Sequence, residues 1–272
     1  MEEKALTAYL IDTHCHLDAV DFDLDRDAVY QAAKVGAGVT ALVIPAVERA
    51  NFGAVASICR DYSGCACAYG IHPLYVARAR PDDLEALRAT LRRESAVAVG
   101  EIGLDRHAEP RDDARQMHYF VEQLKMAQEL DLPVLLHVRK AIDPILAELR
   151  KTRVCGGIAH AFNGSREQAE AFIKLGFKLG FGGAMTYPGS KRIRALAASL
   201  PLSAIVLETD APDIPPVWKA GSRNTPADLL PIAETLAELR SLSLAEVAAV
   251  TCANALAALP RLNNLLIKGE NP

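Results

Sequence analysis

The sequence predicts an α/β chain folded as one (β/α)8 TIM barrel, a single domain over residues 1–272. Three observations predict it. Short apolar runs alternate with longer helical patterns eight times, which argues a parallel sheet. No Pro-, Gly- or Ser-rich linker, tandem repeat or shift of composition divides the chain. No GxGxxG follows the first apolar run, so the competing doubly wound sheet lacks its usual fingerprint.

The elements follow in order. Tyr9–Asp12 is the first strand, and a helix over Arg26–Val35 is stopped by Gly36 and Gly38. Thr40–Pro45, rich in Val, Ile and Leu, is the second strand, and Asn51–Arg60 a helix. Cys65–Ile71 is a strand ended by His72, and Pro81–Arg93 a helix opened by Pro-Asp-Asp. Ala96–Gly100 is a strand ended by Glu101, followed by a long amphipathic helix over Arg111–Leu130. Val134–Leu136 ends at His137 and precedes a helix over Ile142–Lys151. Gly157–Ala159 ends at His160, and Ser165 caps a helix through Leu175. Phe177–Phe181 and a short helix over Lys191–Ser199 make the seventh unit. Ala204–Leu207 is the eighth strand, ended by Glu208-Thr209-Asp210, before helices over Pro226–Arg240 and Ser243–Ala258.

Half of the 272 residues are hydrophobic and 24% are charged, enough for a sizeable core and against disorder. No apolar run reaches membrane-spanning length. The start, Met1 to Lys4, is charged and lacks a signal-peptide apolar region, so a cytoplasmic protein with no membrane partner is expected. The six cysteines form no CxxC pair and read as reduced core residues. A net charge of −4 argues against a protein that coats nucleic acid, though not against a local basic patch. Nothing identifies a stable protein partner.

The chemistry lies at the strand ends. His14 and His16 follow the first strand two residues apart, so they face one side and Cys15 the other. His72, Glu101, His137, His160 and Asp210 fall at five further strand ends. Each alone reads as a satisfied core residue or a cap. Together they would converge on the C-terminal face, where barrel active sites sit. Four histidines and two carboxylates would already exceed one tetrahedral zinc and suit two ions sharing a carboxylate. Glu101, in the middle of the series, is the natural bridge. Histidine-rich ligation fits Zn, Mn, Fe or Ni better than oxygen-preferring Mg. Two divalent ions per chain, zinc, manganese or magnesium, are therefore the expected cofactors. Asp210 is placed both to ligate and to take a proton from water, making Asp210 and Glu101 the expected catalytic residues.

Seven segments carry a family resemblance: IDTHCHLD (11–18), GIHP (70–73), GEIGLD (100–105), LPVLLHVR (132–139), HAFNGS (160–165), LETDAP (207–212) and RNTP (223–226). With them the chain resembles the TatD family of metal-dependent hydrolases, in the amidohydrolase superfamily. The resemblance implies a dinuclear site, with His14, His16, Glu101 and Asp210 on one ion and Glu101, His137 and His160 on the other. It implies hydrolysis of phosphodiester bonds in DNA through a bridging hydroxide, often as a 3′→5′ exonuclease. Some members are instead linked to removing D-amino acids from tRNA, so a deacylase or other ester or amide hydrolase is the alternative. A barrel that binds nucleic acid without cleaving it would not need the intact ligand set. Asn163 stands where serine is usual, and HVRK (137–140) replaces the commoner HSR form.

A DNA or other phosphodiester substrate requires cations. The loops after the strands carry Arg106, Arg139, Lys140, Arg166, Lys191, Arg192, Lys219 and Arg223, against an acidic first loop with Asp18, Asp21, Asp23 and Asp25. The RN motif implies substrate binding by Arg223 and Asn224. His72 either touches substrate or caps its strand, and Trp218, in the loop after the eighth strand, is expected to contact substrate. Glu208 and Asp105 are candidates to orient histidines.

Overall fold

Eight parallel strands lie in sequence order around a barrel in the computed structural model, which describes residues 9–264. The charged start, residues 1–4, lies outside the described residues. The strands are β1 (Leu10–Asp12), β2 (Val39–Pro45), β3 (Cys65–Tyr69), β4 (Ala98–Asp105), β5 (Val134–Arg139), β6 (Gly157–Ala159), β7 (Phe177–Phe181) and β8 (Ile205–Leu207). Helices α1 (Arg26–Gln31), α2 (Phe52–Asp61), α3 (Pro81–Arg93), α4 (Asp113–Glu129), α5 (Ile142–Lys151), α6 (Arg166–Lys174) and α7 (Lys191–Ser199) fill the crossovers. Helices α8 (Leu229–Arg240) and α9 (Leu244–Ala258) follow β8. No single helix among the described residues is long and apolar enough to cross a membrane.

Burial on both faces explains the continuous apolar strands. Along each strand, alternate side chains turn inward. Ile11, Ala41, Val43, Ala66, Ala68, Leu135, Ile158 and Val206 fill the barrel interior. Leu259 and Leu262 join that cluster from the C-terminal segment and plug the lower end. Arg261 fastens the plug by donating to the Ala96 carbonyl, just before β4 (3.1 Å). The intervening strand residues, such as Leu10, Leu42 and Leu136, face the helices.

No strand ladder joins β8 to β1, and side chains bridge that seam. The Thr13 N–H (3.1 Å) and hydroxyl (3.0 Å) both donate to Leu207 O. Asp12 accepts from the Thr209 N–H (3.0 Å) and hydroxyl (2.6 Å). The seam therefore sets β1 against β8 where the site residues begin.

Two strands run further than the sequence predicts. β4 continues from Ala98 through Glu101 to Asp105, and β5 through His137 to Arg139. Glu101 and His137 are thus strand residues, not strand terminators. The β4–β5 register shifts between Val99 and Ile102, an irregularity that turns Glu101 inward. β4 and β5 also approach closely at Gly103, where a Cβ would lie 2.1 Å from His137 O. The sequence places the end of this strand at Gly100, where a glycine is followed by a charge. The first helix ends earlier, at Gln31, in a wider π-type turn over Ala32–Gly36.

Candidate metal centre

The sequence after β1 continues the seam, and this fixes the first three donors. Asp210 N–H donates to His14 O and His16 N–H to Ala211 O, both at 2.8 Å. Asp12 also accepts from the His14 N–H (3.2 Å), so one buried carboxylate braces both chain segments. Burial raises its pKa to about 7, opposed by those same hydrogen bonds. Cys15 is fully buried in the outer core, facing away from the two imidazoles as the alternation requires. Asp210 adopts a left-handed backbone (φ 58°), a conformation that aspartate tolerates better than most residues.

Glu101 stands between two groups of donors. Its Oε2 lies 3.2 Å from His14 Nε2 and 3.7 Å from His16 Nε2. Asp210 Oδ1 closes that group, at 3.6 and 3.7 Å from the same two nitrogens. Glu101 Oε1 lies 2.9 Å from both His137 Nδ1 and His160 Nε2, and 3.4 Å from His72 Nε2. The structure therefore brings all six predicted ligands together and adds His72 on the Oε1 side.

Neighbouring carboxylates hold the outer imidazole edges. Asp105 Oδ2 is 3.0 Å from His137 Nε2, while its Oδ1 accepts from the His107 and Ala108 N–H groups. Asp105 thus orients a histidine and fixes its own loop at once. Glu208 Oε1 accepts from the Ala161 N–H and lies 3.7 Å from His160 Nδ1. Gly180 makes room for it: a Cβ there would meet Glu208 Oε2 at 2.0 Å.

The donor set fits divalent metal ions. Three groups of donors, His14–His16–Glu101, His72–Glu101–His137 and His14–His160–Asp210, have ligand atoms within 4.8 Å of one another. His14 Nε2, which faces Glu101 and Asp210, is buried without a hydrogen-bond partner, which ligation through its lone pair would remedy. Burial lowers the pKa of His14 to about 3 and of His72 to about 4, leaving them neutral, as ligation requires. Glu101 is held well below its usual range despite burial, because His72, His160 and His14 surround it. Burial lowers the His160 pKa, but Glu101 outweighs it and raises the value to about 10.

A model of the family described as TatD related DNase matches residues 11–260. The chain belongs to the TatD family. The relative named "Uncharacterized metal-dependent hydrolase YjjV", from Escherichia coli K12, is 40% identical over 241 residues, covering 88% of this chain and 93% of its own. The crystal structure of YjjV matches with a TM-score of 0.89 at 37% identity, covering 94% of this chain and 99% of that one. Human "Deoxyribonuclease TATDN3" is 34% identical over 282 residues, covering 97% of this chain and all (100%) of its own. A TatD family hydrolase structure from Entamoeba histolytica shares the fold, with a TM-score of 0.82 at 19% identity, over 93% of this chain and 98% of that one.

In this TatD-family barrel the donors floor a cavity of about 1580 Å³. Arg139, His72 and Arg223 line it. Arg223 is already engaged: its guanidinium forks onto Asp25 (2.6 and 3.0 Å) and lies 4.6 Å over the Phe22 ring. One expected contact is corrected, and a second lies off the cavity wall. Asn224 is fully buried, and its amide donates to the carbonyls of Thr209, Asp213 and Ile214 (2.7, 2.9 and 3.3 Å). It ties the β8 loop together and cannot reach substrate. Trp218 is not among the lining residues, and its indole N–H donates to Asp228 (3.0 Å). Arg166, Lys191 and Lys219 also lie off the cavity wall. Lys219 is drawn away by Asp228 and Thr225, and Arg166 by Ser199. Sequence reasoning missed Arg78 and His107, which line the cavity, and Asp12, the seam brace. Asp12 lay inside the first quoted motif, where a buried carboxylate before two ligands was the available signal.

Proposed function

We propose that this chain is a two-metal phosphodiesterase that hydrolyses DNA, removing nucleotides from the 3′ end of single strands. The division of donors by the two oxygens of Glu101 carries the two-metal reading. One ion would take His14, His16, Glu101 and Asp210, and the other Glu101, His137 and His160, with His72 adjacent. The description of the family model as a DNase and the name of the human relative support DNA as substrate.

Bound divalent ions supply Lewis acidity at a phosphoryl oxygen and make water acidic enough to ionise near neutral pH. The chain's own residues do the rest. Asp210 turns Oδ1 to the histidines and keeps Oδ2 for the proton of the attacking water. Burial raises its pKa, which makes it a better base. Glu101 holds both halves of the centre in register, and Asp105 keeps His137 from rotating. Arg139, exposed at the top of β5, holds a phosphate of the strand.

The test uses single-stranded DNA labelled at its 5′ end, with the protein loaded in turn with zinc, manganese or magnesium. A ladder of 3′-shortened products that chelation abolishes is expected. A strand left intact with every metal, while charged tRNA or a carboxylic ester is hydrolysed, contradicts the reading.

A further inference from the structure

The charges around the cavity are unevenly placed. The top of β5 and the loops after β4, β5 and β7 put Arg106, Arg139, Lys140 and Arg192 on its wall, and among the described residues the only carboxylate lining it from beyond the β4–β7 strands is Asp143. The loops after β8, β1, β2 and β3 contribute Arg78 and Arg223, set against Asp18, Asp21, Glu48 and Asp213. Pairing widens the contrast. Arg78 forks onto Glu48 (2.7 and 2.8 Å), and Arg223 onto Asp25. Arg139 and Lys140 are exposed and have no side-chain hydrogen bond or ion pair among the described residues. Arg192 is held by the neutral carboxamide of Asn163, at 2.7 and 3.1 Å, so it is oriented without losing its charge. Arg106 has only a 3.9 Å contact with Asp113, which Arg111 already engages at 2.8 Å.

We propose that the β4–β7 wall is a second phosphate-binding subsite, which takes the phosphates next to the scissile one and makes a polyanionic strand the preferred substrate. The proposal rests on the phosphodiesterase reading above. A phosphodiester carries one negative charge. Four cations facing one carboxylate exceed what the scissile group can neutralise, so further phosphates are the complement. Placement agrees. Arg139 lies on the same face of β5 as His137, about 7 Å further up the strand, beyond the metal centre. Lys140 follows it, and Arg192 projects from the first turn of α7. Asn163 becomes the residue that aims Arg192.

The experiment compares the parent, Lys140→Ala/Arg192→Ala and Arg78→Ala. Binding of a fluorescent single-stranded oligodeoxynucleotide is titrated by anisotropy in EDTA over a salt series. Hydrolysis of that oligonucleotide and of bis(p-nitrophenyl) phosphate is measured with metal. In the double variant, oligonucleotide Kd and KM rise about tenfold or more. The slope of log Kd against log salt becomes shallower by about 1.4, for two lost contacts. Its rate on the small diester stays within about twofold, and Arg78→Ala matches the parent throughout. An unchanged Kd and slope in the double variant overturns the subsite. So does an equal loss on both substrates, or an equal loss in Arg78→Ala. A parent that cleaves neither substrate overturns the phosphodiesterase reading itself, and the subsite with it.

Discussion

On the β8–β3 side of the cavity, each lining arginine has a carboxylate against it: Arg78 has Glu48 and Arg223 has Asp25. On the β4–β7 side, Arg139 and Lys140 have none, and Arg192 leans on an amide. The candidate metal donors are split along the same line. His14, His16 and Asp210 come from the loops of the first side, and His137 and His160 from the second, with Glu101 between them. The comparison teaches that the two sides do different work. Paired charges and the buried Asn224 make the first a scaffold that holds chain segments together. Unpaired charges make the second a surface that waits for anions.

Substitutions separate the two sides. Glu101→Ala removes the residue they share and should lower turnover at least about 10³-fold, with loss of metal uptake. Circular dichroism should show the barrel still folded. If that variant keeps both metal and rate, the division of labour is wrong. Asp210→Asn acts on the first side alone. A loss of roughly 10²–10⁴-fold in kcat is expected, with metal retained by His137 and His160. Asp105→Asn acts on the second side through His137, and a loss of about 10–100-fold in metal affinity or kcat should appear in metal titrations. Asn224→Ala tests the scaffold. It strands the carbonyls of Thr209, Asp213 and Ile214, and should cost about 1–3 kcal/mol, read as a lower Tm. The effect on oligonucleotide KM should be far smaller than that of Lys140→Ala/Arg192→Ala. The reverse order would place Asn224 at the substrate after all.

The barrel was legible because β/α alternation and apolar strands are properties of the chain itself. So was the convergence of the six candidate donors, because a barrel sends every strand end to one face. Strand lengths were not: a glycine followed by Glu101 ends the apolar run at Gly100, whereas the strand continues to Asp105 past a register shift against β5. His72 was left undecided between cap and contact because its two ring nitrogens do different things: Nδ1 accepts from the Leu74 N–H at 3.1 Å, and Nε2 lies 3.4 Å from Glu101. Trp218 and Asn224 were misread for another reason. Proximity to a motif says nothing about which way a side chain turns, and both turn to Asp228 or loop carbonyls instead of the cavity. Charge pairing was hidden likewise, since Arg223 and Asp25 are distant in sequence.

The central claim is that Glu101 joins two metal sites, one on each side. Metal content per chain, measured by mass spectrometry after saturation with manganese or zinc and removal of excess, tests it most directly. Two ions in the parent and one in Asp210→Asn are the predicted result. A parent that saturates at one ion per chain contradicts it.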